Sequence, residues 1–95
     1  MAAPGIQPLP VGTSPDAHFA AQRLQGRTWS AGPGTYFPLH RHHLTKHLFV
    51  TRGSISFNGS LHRAPAGLLI PAGFDHEAEA GEQGVTCVEA FEGEA

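Results

Sequence analysis

The sequence predicts an all-β fold, a sandwich or barrel of short strands. Three observations carry this reading. Apolar and polar residues alternate over short runs, as in Ser54-Ile55-Ser56-Phe57 and His76-Glu77-Ala78-Glu79-Ala80, the period of a half-buried strand. The runs are separated at close intervals by turn signals, drawn from 12 glycines and 8 prolines in 95 residues. No window carries the spacing of a helix of three turns, and Ala17 to Leu24 would support one short turn at most.

Residues 1–16 contain Pro4, Pro8, Pro10 and Pro15 and few large apolar groups. They read as an N-terminal arm, either strand-like and embracing a partner subunit or frayed. Residues 17–95 then form a single domain, which is all that this length of chain supports. His18 to Leu24 is a weak strand candidate. Arg27 to Ala31 is a better one, with Thr28 and Trp29 inside it and Gly32-Pro33-Gly34 ending it. Thr35 to His42 resumes the extended reading. Lys46 to Arg52 is apolar at Leu48, Phe49 and Val50 and stops at Gly53. The strand from Ser54 ends at Asn58-Gly59, the preferred pair for a type I′ hairpin turn. Gly67 to Ile70 is a short apolar run closed by Pro71. His76 to Ala80 alternates, and Gly84 to Phe91, with Val85, Thr86, Cys87 and Val88, is the last strand.

Composition narrows the function. Six Lys and Arg against eight Asp and Glu leave a net charge of -2, so the clustered cations of a nucleic-acid site are not expected. No apolar run approaches the roughly 20 residues that span a bilayer. The N-terminus has no basic residue before an apolar stretch, so it is not read as a secretory signal, and the default location is cytoplasmic. The single cysteine, Cys87, cannot form an internal disulfide and reads as a small core residue.

The seven histidines outnumber all Lys and Arg together. His40, His42, His43 and His47 fall close together, and His76 stands alone further on. Side chains of a strand alternate faces, so His40 and His42 share one face while Arg41 and His43 take the other. Around His76, the carboxylates of Glu77 and Glu79 belong on the wet side, which turns His76 inward. An inward histidine either donates to a buried acceptor or binds a metal through a neutral ring nitrogen. His18 and His62 are expected to be exposed.

The stretch Gly34-Thr-Tyr-Phe-Pro-Leu-His40-Arg-His42, closed by Gly53, resembles the first motif of the cupin superfamily. Pro71-Ala72-Gly73-Phe74-Asp75-His76 resembles the second. The resemblance implies a double-stranded β-helix, the small jelly-roll barrel, over roughly residues 26–92. It implies a divalent transition metal (zinc, nickel, iron, copper or manganese) held by His40, His42 and His76 inside the barrel mouth. Gly73 would make the turn that aims His76 inward, and Gly53 would end the long strand at a hairpin. A homodimer paired through a sheet edge is also implied. Two positions depart from the motifs. Ala80 stands where the second motif usually has Asn. The glutamate ligand of the first motif is replaced by Lys46, with His47 beside it. Alternation lets only one of these two face inward. The reading preferred is His47 as a fourth ligand, with Phe49 and Thr51 on the same face, because an inward Lys46 needs a partner the sequence does not show.

The function expected is a small metal-binding cupin, an enzyme acting on a small organic molecule at an all-histidine site. The alternatives are a non-catalytic module binding a metal or small ligand, and a metal-free shell.

Overall fold

The computed structural model describes residues 5–93. Along the chain they form β1 (Gln7–Pro8), α1 (Pro15–Gln22), β2 (Arg27–Ala31), β3 (Tyr36–His40), β4 (Lys46–Phe57), β5 (Ser60–Arg63), β6 (Ala66–Ile70) and β7 (His76–Phe91). All pairings are antiparallel. The architecture is the jelly-roll barrel that the two motifs imply.

Two long strands organise it. The first half of β4 pairs with β6 and with the last residues of β7, Lys46 facing Phe91 and Val50 facing Cys87. Its second half pairs with β5 and with the start of β7, Ile55 facing Ala80 and Phe57 facing Ala78. β4 and β7 therefore cross from one layer of the barrel to the other. The register shifts twice at the corner, between Val50 and Arg52 and between Gly53 and Ile55. Such bulges bend a strand. Gly53 does not end the strand at a hairpin, as the motif implies; it lies inside β4 at φ +71. The hairpin comes at Asn58 (φ 48) and Gly59 (φ 86), both left-handed as a type I′ turn requires. β2 and β3 add to β7 on opposite sides of the same corner.

The barrel interior is packed by Leu48, Val50, Ile55, Phe57, Leu68, Ile70, Val85 and Cys87, all buried. The Cys87 thiol is fully buried, and burial raises its pKa to about 12, as suits a core residue and not a nucleophile.

A second cluster lies on the outer face of β4, where Phe19 of α1 packs edge-on to Phe49 with ring centroids 5.4 Å apart, against Ala90. The sequence reading of this segment, one turn or a weak strand, is corrected to a two-turn helix. Ser14 caps it, its hydroxyl accepting from the Ala17 N–H, and Pro15 and Asp16 occupy the first turn. The helix is held by packing and not by a strong amphipathic stripe, so periodicity does not announce it. Gln7 and Pro8, within the segment read as an arm, pair with Leu69 and Leu68 of the same chain. No helix among the described residues is long and apolar enough to cross a membrane.

Candidate metal centre

His40 ends β3 and His76 begins β7, directly opposite one another in the antiparallel register. His42 follows in the loop that leaves β3. Two of the contacts here draw that loop onto the segment before His76. The Gly73 N–H donates to the His42 carbonyl at 2.8 Å. Arg41, between the two histidines, grips Asp75 through Nε (2.7 Å) and Nη2 (3.1 Å). Asn58 of the hairpin bridges the same segment, its Oδ1 accepting from the Glu77 N–H at 3.0 Å and its Nδ2 donating to the Asp75 carbonyl. Gly73 sits at φ +76 in the Pro71–Phe74 turn, a conformation glycine adopts without strain.

The three imidazoles converge. Ring centroids of His40 and His76 are 4.3 Å apart, those of His40 and His42 4.8 Å, and those of His42 and His76 5.1 Å. His40 Nδ1 donates to the Pro38 carbonyl at 2.6 Å, and His76 Nδ1 donates to the Phe74 carbonyl at 2.8 Å. A carbonyl only accepts, so these bonds fix the tautomer and leave each Nε2 with a lone pair. That arrangement is the usual support for a metal-ligating histidine. His42 Nε2 is buried with no hydrogen-bond partner. One potential ligand atom from each residue lies within 4.8 Å of the others. Metal–nitrogen bonds of about 2.1 Å need nitrogens no more than about 4.2 Å apart, so a small closure of the rings would seat an ion.

The electrostatics favour neutral imidazole. Burial first, then the charges of Lys46, His40 and His76, push His42 down to about 4. Burial also lowers His76. A ligand must present its lone pair, so low proton affinity here assists metal binding.

His47 does not join this group. It is 3% exposed and faces the opposite side of β4, beneath α1. There its Nε2 donates to the Glu92 carboxylate at 2.7 Å, and its Nδ1 lies 2.7 Å from His18 Nε2. The sequence reading of His47 as the inward residue is corrected to Lys46. Both faces of the first half of β4 are covered, one by the barrel interior and the other by the helix, so the apolar run 48–50 does not reveal the inward face. The partner that Lys46 needs is Glu89 of β7, with Nζ 3.1 Å from Oε1. His18, expected to be exposed, is half-buried in this second cluster, and His62 is also half-buried, its ring 6.0 Å from that of Phe57. His43 is exposed.

Glu89 is the residue that sequence reasoning missed. Counting by twos from the inward Cys87 reaches it, and that alternation was the available signal. Its Oε1 accepts from the Trp29 indole at 2.7 Å as well as from Lys46. Lys46, Glu89, His40 and His76 line a pocket of about 270 Å³ whose other walls are Trp29, Phe37, Leu48, Ile55, Phe57 and Ala78.

This barrel, with its mouth lined by histidine, defines a class. Among solved structures, the chain is similar to a protein of unknown function with a cupin-like fold from Ralstonia eutropha, at 25% identity and a TM-score of 0.65, over 74% of this chain and 47% of that one. It is similar to an RmlC-like cupin from Shewanella frigidimarina, at 21% identity and a TM-score of 0.63, over 72% of this chain and 64% of that one. It is also similar to KdgF from Halomonas sp., at 19% identity and a TM-score of 0.59, over 99% of this chain and 86% of that one. The chain thus spans about half the length of the first and just under two thirds of the second. No family model matches the sequence, and no curated protein matches it. The chain therefore has the cupin-like jelly-roll fold, and both of its histidine motifs resemble those of the cupin superfamily.

Proposed function

We propose that this chain is a small metal-binding cupin that holds a divalent transition metal at His40, His42 and His76 and acts on a small organic molecule in the adjoining pocket. The observation that carries this is the buried Nε2 of His42, which has no hydrogen-bond partner and stands among two imidazoles whose Nδ1 atoms are tied to backbone carbonyls. Leaving such a nitrogen unpaired costs about 1–3 kcal/mol, a cost that an ion removes.

When bound, the metal supplies Lewis-acid polarisation of a coordinated oxygen, with the positions histidine does not fill open to substrate. The chain's own residues do the rest. Pro38 and Phe74 hold the rings of His40 and His76 in orientation through their carbonyls. Trp29, Phe37 and Phe57 keep the pocket apolar. Lys46 and Glu89 place a paired ammonium and carboxylate in its wall.

Protein purified without chelators or nickel resin is expected to contain near one equivalent of metal, and His76→Ala to contain almost none. At a metal concentration about 1,000 times the dissociation constant, reconstitution stabilises the fold by about 4 kcal/mol. A metal-free wild type whose melting temperature does not move when zinc, nickel, iron(II), copper or manganese is added back would refute the reading.

The protein is further proposed to act in the cytoplasm as a homodimer paired through a sheet edge. The exposed Tyr36 (54%) and Leu39 (63%) of β3 support this, since β3 pairs with β7 only among the described residues. Light scattering at micromolar concentration is expected to give twice the chain mass of 10.1 kDa, and a monomer would refute it.

A further inference from the structure

We propose that the pocket takes a small monocarboxylate with an apolar body, its carboxylate lying between the ion at the histidine trio and the Lys46 ammonium. This rests on the metal-centre reading above and names the ligand class for the same site.

The first support is charge. The motif's carboxylate ligand is absent and an ammonium stands in its place, 12% exposed in the pocket wall. Glu89 cancels Lys46, and the three imidazoles bind as neutral groups. The charge of a divalent ion is then left uncompensated among apolar walls, where an uncompensated charge is costly. A ligand anion supplies what the chain withholds. A neutral ligand does not.

The second support is donor count. An ammonium has three N–H donors. Glu89 Oε1 takes one from Lys46, and it is further occupied by the Trp29 indole. Lys46 also lies 5.2 Å from the Phe91 ring centroid, a contact that steadies the charge without using a donor. Donors therefore remain for a ligand oxygen in the pocket that Lys46 shares with His40 and His76.

The third support is shape. At about 270 Å³ the pocket falls just below the roughly 300–1,000 Å³ range of drug-sized sites, so the occupant is small. Beyond the polar end, the walls offer aromatic and aliphatic carbon, which a sugar or a phosphate ester would leave unsatisfied. One carboxylate on a compact apolar body satisfies both ends.

The test uses Trp29, the chain's single tryptophan, as its reporter. Zinc-loaded protein is titrated with benzoate and with benzamide, which has the same shape and no charge, while Trp29 emission is followed and zinc content is measured in parallel. Saturable binding of benzoate is expected, at least about tenfold tighter than benzamide. Lys46→Met is expected to weaken benzoate by at least about tenfold while zinc content stays at that of the wild type. Lys46→Met strands the Glu89 carboxylate, so the double variant Lys46→Met/Glu89→Gln, which leaves no unpaired charge, is run beside it with the same expectation. Equal affinity for benzamide and benzoate, or benzoate affinity unchanged in both variants, overturns the proposal with the metal centre intact. Failure of the wild type to hold zinc overturns the metal centre first, and the zinc measurement separates the two failures.

Discussion

Gly53→Ala is expected to abolish folding, leaving no cooperative transition in a thermal melt followed by circular dichroism. Gly53 sits at φ +71 at the corner where β4 passes between layers. A non-glycine residue in that conformation costs roughly 1–2 kcal/mol. The larger cost is steric, because a Cβ here would overlap the carbonyl oxygen of Gly84 on the facing strand. That oxygen belongs to backbone, so no side chain can swing aside. Gly84 is itself held in the left-handed region at φ +76, and a Cβ placed on it would come within 2.7 Å of the Ala31 carbonyl oxygen. Relief requires β4 and β7 to separate at their crossing, which breaks the pairing that holds both layers. Typical domains have only about 5–15 kcal/mol of stability to lose. Gly59→Ala is the control. It has a similar φ, +86, but nothing lies within 4 Å of where its Cβ would stand, so the fold survives with a melting temperature lower by several degrees. A folded Gly53→Ala melting near the wild type would show that the corner relaxes freely.

Metal-free protein is expected to lose stability steeply between pH 7 and pH 5. Four histidines have lowered proton affinity in the fold. Burial acts first on each: on His42, which reaches about 4 with further help from Lys46, on His76, on His18 with help from His47, and on His62. A histidine whose folded pKa lies below its unfolded value near 6.5 takes up a proton on unfolding. Its contribution is complete above pH 6.5 and is lost as pH falls through the folded value. All four act in the same direction. Each proton taken up is worth up to about 1.4 kcal/mol per pH unit. The half-buried His18 and His62 contribute less because water screens them. A kcal/mol corresponds to roughly 4–8 °C in a domain of this size, so the melting temperature should fall by more than about 10 °C over this range. His62 stands apart from the trio, and His62→Gln should flatten the curve without touching metal binding. A melting temperature constant from pH 7 to pH 5 would contradict this account.

Much of the site was legible because it depends on local rules. The two-residue period turned His76 inward, and the structure brings it to one place with His40 and His42, although β3 ends at His40 and His42 gets there from the following loop and not by strand alternation. β2 has the bounds read from its turn signals. The errors share one cause. Alternation says that Lys46 and His47 face opposite ways, but only the packing of a distant helix tells which way is in. Phe19 and His18 cover the outer face of β4, so His47 is buried there with a polar partner and not in the barrel. Lys46 seemed implausible inside because its counter-charge, Glu89, lies far along the chain and reaches it only through the pairing of β4 with β7. β5 was not singled out because Ser60–Arg63 is short and mostly exposed, so it has little apolar rhythm to read.

The reach of β7 has a consequence in time. β2, β3 and β4 all hydrogen-bond to it, and it is the last strand to be synthesised among the described elements. Arg27 is made more than half a chain before Glu89, its partner. At a translation rate of roughly 5–20 residues per second, the earlier strands wait for seconds with no central strand to join. Such non-local pairing also places the barrel among slow folders. During that wait Leu48-Phe49-Val50, which the finished barrel and its helix cover from both sides, is open to other chains. The stability of the completed barrel gives that run no protection until β7 has been made.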